Sequence, residues 1–235
     1  MKLSPSFYRS VALCSVLSAI TTLGLIFLPD FYRPVEGFEG RMTRVDDPAY
    51  VLRSWVYLVH PFLTFAAALG VALRIRALRP AAAIIGLAGF ALWAGTEAGQ
   101  QTLTLFAFDK WRAAYFAADE ATRAIIRANT AMYDGLWDAL YFLLLIGFSI
   151  GNLCLGIALV GAGRGLTRLV GFFLLAACAL TLTIITRELQ WWTLPEPLAS
   201  WSYPAIQPLG RVLIGLWLWR AAHEDGPLPI RFSNR

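Results

Sequence analysis

Histidine occurs only twice in this chain, as His60 and His223, and lysine only twice, as Lys2 and Lys110. Cysteine occurs three times, as Cys14, Cys154 and Cys178, with no C-x-x-C pair. Charged residues make up 15% of the chain, where soluble domains carry about 25%. Each scarcity excludes a class of chemistry. A haem held by two imidazoles needs both at one iron, and these two are predicted at opposite ends of the fold. A zinc site needs several His, Cys or carboxylate ligands together, so no metal site is expected. Both lysines fall outside the apolar segments, so a buried Schiff-base amine is missing. Neither a P-loop, a dinucleotide fingerprint nor a G-x-S-x-G elbow occurs, and no cofactor is expected. The cysteines sit inside apolar blocks, where they read as small buried hydrophobes rather than disulfide partners.

Apolar sequence is what the chain has in excess. Hydrophobic residues reach 58% of its 235 positions. They come in blocks of roughly 18–25 residues, the length that crosses about 30 Å of hydrocarbon at about 1.5 Å per helical residue. Backbone amides cannot go unpaired in lipid, so each block must be a helix. The expected fold is therefore an all-α integral membrane protein, one transmembrane domain over 1–235. Its spans are placed at about 8–29, 54–73, 80–108, 134–160, 165–186 and 204–221. The segment 111–132 reads as a further helix, either interfacial or an outward continuation of the fourth span. Asp119 and Arg123, four residues apart, suggest a pair on that helix.

The first block is long for a signal peptide and is followed by Pro29-Asp30-Phe31-Tyr32 rather than a small-residue cleavage site, so it reads as an uncleaved helix. Orientation follows from arginine density in the short connections. The connection 74–79 carries Arg74, Arg76 and Arg79, and 161–168 carries Arg164 and Arg168 without an acid. Both termini fall on that side, with Lys2, Arg9, Arg220, Arg231 and Arg235, which the positive-inside rule makes cytoplasmic. The longer loops, about 30–53, 109–133 and 187–203, then face outward. With 18 arginines at the ends of apolar blocks and no basic stripe, nucleic acid is not an expected partner. The Arg and Ala richness suggests a bacterial cytoplasmic (inner) membrane.

Ionisable groups inside a span are costly and usually face the bundle interior. Here they gather at one depth, in the outer half. Glu97, Gln101 and Thr104 share a face of the third span, with Gln100 beside them. Asp134, Asp138 and Tyr141 have the same spacing on the fourth. His60 lies on the second, Arg187 ends the fifth, and Gln207 and Arg211 lie one turn apart on the sixth. Arg187 and Arg211 are the expected cationic partners of Glu97 and Asp138. Gly95 and Gly99 bracket Glu97 in a G-x-x-x-G pattern that predicts close helix contact, and Gly147 and Gly151 repeat the pattern on the fourth span. Trp191, Trp192 and Trp201 place an aromatic belt at the outer interface.

Three readings follow. The first is an outward polar pocket, lined by His60, Glu97, Gln100, Gln101, Asp138, Tyr141, Arg187, Gln207 and Arg211, that binds or transports a small polar or lipid-like amphipathic ligand. The second is a non-catalytic subunit of a larger membrane complex, held to a membrane-protein partner or a second copy, besides membrane lipids. The third is an intramembrane enzyme using Glu97 or Asp138 as acid or base, with His60 assisting, on a lipid or isoprenoid-like substrate. An open cavity favours the first and third; a closed ion-pair knot favours the second.

Overall fold

The computed structural model describes residues 3–224. Lys2, Arg231 and Arg235, counted above toward the cytoplasmic side, lie outside the described residues. The described chain is helical, with no strand. Its helices are α1 (Pro5–Phe27), α2 (Gly37–Met42), α3 (Pro48–Ile75), α4 (Pro80–Leu103), α5 (Asp109–Tyr115), α6 (Glu120–Ala162), α7 (Leu166–Glu188) and α8 (Glu196–Ala221). A π-helical turn, Thr104–Phe108, joins α4 to α5.

Five helical runs are long and apolar enough to cross a membrane: Pro5–Phe31, Pro48–Ile75, Pro80–Tyr115, Glu120–Ala162 and Leu166–Glu188. The chain is a multi-pass membrane protein. Helix α8, at the sixth expected span, is not among the five; it carries Gln207, Arg211, Pro204 and Pro208. Exposure follows the membrane pattern. Leu13, Ile20, Phe62, Ile84 and Ile157 are exposed on the outside, while Ser15, Ser18, Thr22, Thr64, Thr96, Glu97 and Arg211 are buried inside. A soluble domain does the opposite.

The long helices pack as a closed ring in the order α1, α3, α4, α6, α7, α8. One end of the ring is tied by Arg74, whose guanidinium lies 5.6 Å from the Tyr8 ring of α1 and 5.3 Å from the Trp217 ring of α8. Arg74 also pairs with Glu224. The start of α1 and the end of α8 therefore share one end of the bundle with the α3–α4 turn.

Packing is tightest toward that end. A Cβ placed on Gly89 of α4 would lie 2.6 Å from the Gly151 nitrogen and 2.8 Å from the Gly147 oxygen of α6. The second G-x-x-x-G pattern is thus a true backbone contact. The first is not: a Cβ on Gly95 or Gly99 would meet nothing within 4 Å. Its glycines point away from any neighbouring helix, and Gly89 is the one that α6 approaches. Gly89→Ala should therefore cost about 1–3 kcal/mol, because two backbones must separate. Gly99→Ala should be neutral or stabilise by up to about 1 kcal/mol, since mid-helix alanine outperforms glycine. Thermal unfolding of the two variants in one detergent checks the contrast.

The segment 111–132 is not one helix. Helix α5 stops at Tyr115, and Asp119 starts α6 by accepting from the Thr122 amide at 2.8 Å. Arg123 does not pair with Asp119. It donates instead to the carbonyls of Tyr115 and Phe116, at 3.2 and 3.0 Å, closing the end of α5. Beyond that break α6 runs unbroken for 43 residues, so its first portion continues the fourth expected span.

Asp47 starts α3 in the same way and anchors the loop that precedes it. Its carboxylate accepts from the amides of Arg33 at 2.7 Å, Ala49 at 2.9 Å and Tyr50 at 3.3 Å. These bonds, the one from Arg33 foremost, hold the carboxyl below the usual carboxylate range. A folded value below the unfolded one stabilises fully above about pH 4, and the contribution is lost as pH falls through the folded value. Asp47→Ala should cost about 1–2 kcal/mol at pH 7. The gap in midpoint between wild type and variant should shrink as unfolding is followed below pH 4.

Candidate functional site

Away from the glycine contacts the ring opens around a cavity of about 860 Å³. Six helices contribute to its wall. Helix α3 supplies Arg53, Tyr57 and His60, a stripe at i, i+4, i+7. Helix α4 supplies Trp93 and Glu97, one turn apart, and α8 supplies Tyr203 and Arg211. Tyr141 comes from α6 and Arg187 from α7. Between these polar groups the wall is apolar, with Leu25 and Ile26 of α1, Leu144 and Phe148 of α6, and Leu180 and Ile184 of α7. Thr193, Leu194, Pro195 and Glu196, joining α7 to α8, lie at the rim. Prolines sit in two of the wall helices. Pro61 lacks an amide, so the Tyr57 carbonyl loses its helical donor beside the cavity, and Pro208 does the same to Pro204 in α8.

The charged groups of the cavity do not form a knot. Glu97 is only 4% exposed, and among the described residues it makes no hydrogen bond and no ion pair. Arg211, 7% exposed, donates from Nη1 to the Thr64 hydroxyl, and its Nε has no partner among the described residues. Its backbone carbonyl accepts from the Ser15 hydroxyl at 2.7 Å, which ties α8 to α1 at this level. His60 shares a 2.7 Å hydrogen bond between Nδ1 and the Thr21 hydroxyl, and its ring stands edge-on to Trp93, with centroids 5.9 Å apart. Arg53 donates from Nε to the Leu25 carbonyl at 3.1 Å and covers the Tyr57 ring at 5.1 Å.

Of the nine residues singled out from the sequence, His60, Glu97, Tyr141, Arg187 and Arg211 meet on this cavity. Gln101 lines a smaller neighbouring chamber. Gln100 is buried and donates to the Trp137 carbonyl at 2.9 Å, which joins α4 to α6. Gln207 is buried one turn from Arg211, with its Nε2 unpartnered among the described residues. Asp138 is exposed and lines neither space. The inward stripe of α6 runs through Asp134, Trp137, Tyr141, Leu144 and Phe148, stepping by three and four, and this turns Asp138 out of the interior. The expected pairs are likewise redirected. Arg187 bonds its neighbour Glu188 at 2.7 Å, and Asp134 is held by Arg41.

No family model matches the chain, no characterised protein matches it, and no solved structure matches it.

Sequence reasoning passed over Arg53, Tyr57, Trp93 and Thr64, and read Tyr203 only as part of the aromatic segment 187–203. The signal was present for two of them. Arg53 and Tyr57 precede His60 at helical spacing, and extending the His60 face outward by two turns would have found both. Because Glu97 has no partner to lose, Glu97→Gln should change folding stability by less than about 1 kcal/mol. Breaking a true buried ion pair costs about 3–5 kcal/mol. Thermal unfolding of the purified variant separates the two cases.

Proposed function

We propose that this protein binds a small amphipathic molecule in its central cavity, as a carrier or receptor in a bacterial cytoplasmic membrane. In this reading α8 is the sixth span, the termini are cytoplasmic, and the cavity opens outward. Support for the sixth span comes from ring closure: α8 packs against both α1 and α7 and completes the cavity wall. Support for the orientation comes from the arginines of the two short turns.

The observation that carries the reading is an open cavity with an unpaired buried carboxyl. Glu97 and Arg211 line the same space without bonding each other, amid aromatic and aliphatic walls. Small-molecule sites run to roughly 300–1,000 Å³ and combine apolar walls with a few placed polar groups. Glu97 and His60 offer acceptors, while Arg211 and the Tyr57, Tyr141 and Tyr203 hydroxyls offer donors. The ligand is accordingly a molecule with an apolar body and a hydrogen-bonding head. A carboxyl and an imidazole on one cavity also favour proton-transfer chemistry, which is the second reading.

Native mass spectrometry of protein extracted gently from its own membrane tests the proposal. Wild type should carry a bound molecule. Its occupancy should fall about tenfold in Glu97→Gln, and also in Ala199→Trp, which fills the rim without touching the floor. A tenfold loss corresponds to about 1.4 kcal/mol of binding. A stoichiometric protein partner with no bound small molecule would overturn the reading in favour of a complex subunit.

A further inference from the structure

Beyond the main cavity, the outer ends of α3, α4 and α6 enclose a second, smaller chamber of about 240 Å³. Three arginines line it, Arg41, Arg53 and Arg112, with one carboxylate, Asp134. Asp109 stands against it from α5. Both carboxylates are already engaged. Asp134 receives both terminal nitrogens of Arg41. Asp109 accepts from Arg112 at 2.9 Å and from the Tyr50 hydroxyl at 3.1 Å. Arg53 is left over. It forms no ion pair among the described residues, and its only hydrogen bond is to a neutral carbonyl.

The chamber thus carries one uncompensated positive charge. It also holds an unused amide. Gln101 is 3% exposed, lines the chamber, and its side chain has no hydrogen bond among the described residues. The Thr104 and Tyr133 hydroxyls face the same space, bonded to each other at 2.6 Å. An unpaired, half-buried guanidinium beside a buried, unpartnered amide favours an anion with oxygen acceptors.

We infer that this chamber is a second binding site, for a small oxyanion of the carboxylate or phosphate type, held by Arg53 and Gln101. At about 240 Å³ it admits such a group but not a long alkyl body. The anion comes either from solution or as the headgroup of an acidic lipid. The site is separate from the ligand of the main cavity, although Arg53 and Tyr57 line both spaces.

The test is thermal unfolding of the full chain in nanodiscs of phosphatidylcholine, titrated with inorganic phosphate or acetate against sodium chloride of equal ionic strength. A saturating rise of about 3 °C or more with phosphate or acetate is expected, and none with chloride. Arg53→Gln should abolish the rise, Arg53→Lys should keep part of it, and Gln101→Leu should weaken it. Nanodiscs containing phosphatidic acid separate the sources. If that lipid raises the midpoint and added phosphate then does nothing more, the headgroup is the occupant. If phosphate acts equally in both discs, the anion is free. If neither the salts nor the lipid move the wild-type midpoint, or if Arg53→Gln and Gln101→Leu both respond as wild type does, the inference is overturned.

Discussion

Hydrocarbon offers no partner to a polar group, and the architecture answers to that constraint. A serine, threonine, amide or charge in a membrane-crossing helix is costly unless it finds a partner inside the bundle or faces a polar space. The hydroxyls take the simplest route. Ser18, Thr22, Thr96, Thr104 and Thr181 each donate to a carbonyl one turn earlier on their own helix. Other groups bond across helices. Gln100 reaches across to α6, Ser15 reaches α8, and Trp217 donates to the Thr167 hydroxyl at 2.9 Å. These bonds fix the rotation of each helix, and so decide which residues line the interior.

The cavity lies where it does because packing is graded along the ring. Toward the end with the short turns, glycines let helices touch. Gly89, Gly147 and Gly151 join α4 to α6; Gly156 and Gly171 join α6 to α7; Gly70 and Gly215 admit the valines of α1. Toward the other end the glycines make no such contact: Gly95, Gly99 and Gly135 have open space beside them. Large side chains, Tyr57, Tyr141 and Tyr203, stand between the helices there. Helices pinched at one end and wedged at the other must diverge, and the space between them takes the polar groups that found no partner.

The sequence made the helices legible, because runs of apolar residues longer than a bilayer leave the backbone no alternative. The depth of the polar groups was legible too, since the rise along a helix converts residue number directly into height. Azimuth was not. Asp138 follows Asp134 by four residues and Tyr141 follows Asp138 by three, both helical neighbour spacings, yet the inward stripe of α6 passes through Trp137 and leaves Asp138 outside. The Arg41–Asp134 pair joins residues 93 positions apart through a loop helix of six residues, and no local pattern announces it. The glycine pattern at Gly95 and Gly99 misled for a related reason. G-x-x-x-G describes one face of one helix, while contact requires a small residue opposite, which Gly89 has and Gly95 and Gly99 lack.

The arrangement of Arg211 bears on why a polar ligand fits better than a structural ion pair. Pairing with Glu97 would offset the cost of burying both charges. The guanidinium instead reaches a neutral hydroxyl, Thr64 on α3, while Ser15 holds its backbone from α1. A neutral partner fixes the position of the group without cancelling its charge. On the other side His60 is held by Thr21, again through a neutral hydroxyl, and Glu97 is left unbonded. Three ionisable side chains on different helices are thus oriented around one cavity without pairing to each other. Such an interior costs more than one closed by ion pairs or filled with leucine. That cost is offset most directly by a molecule whose polar head meets these groups and whose body covers the leucine and phenylalanine wall beside them.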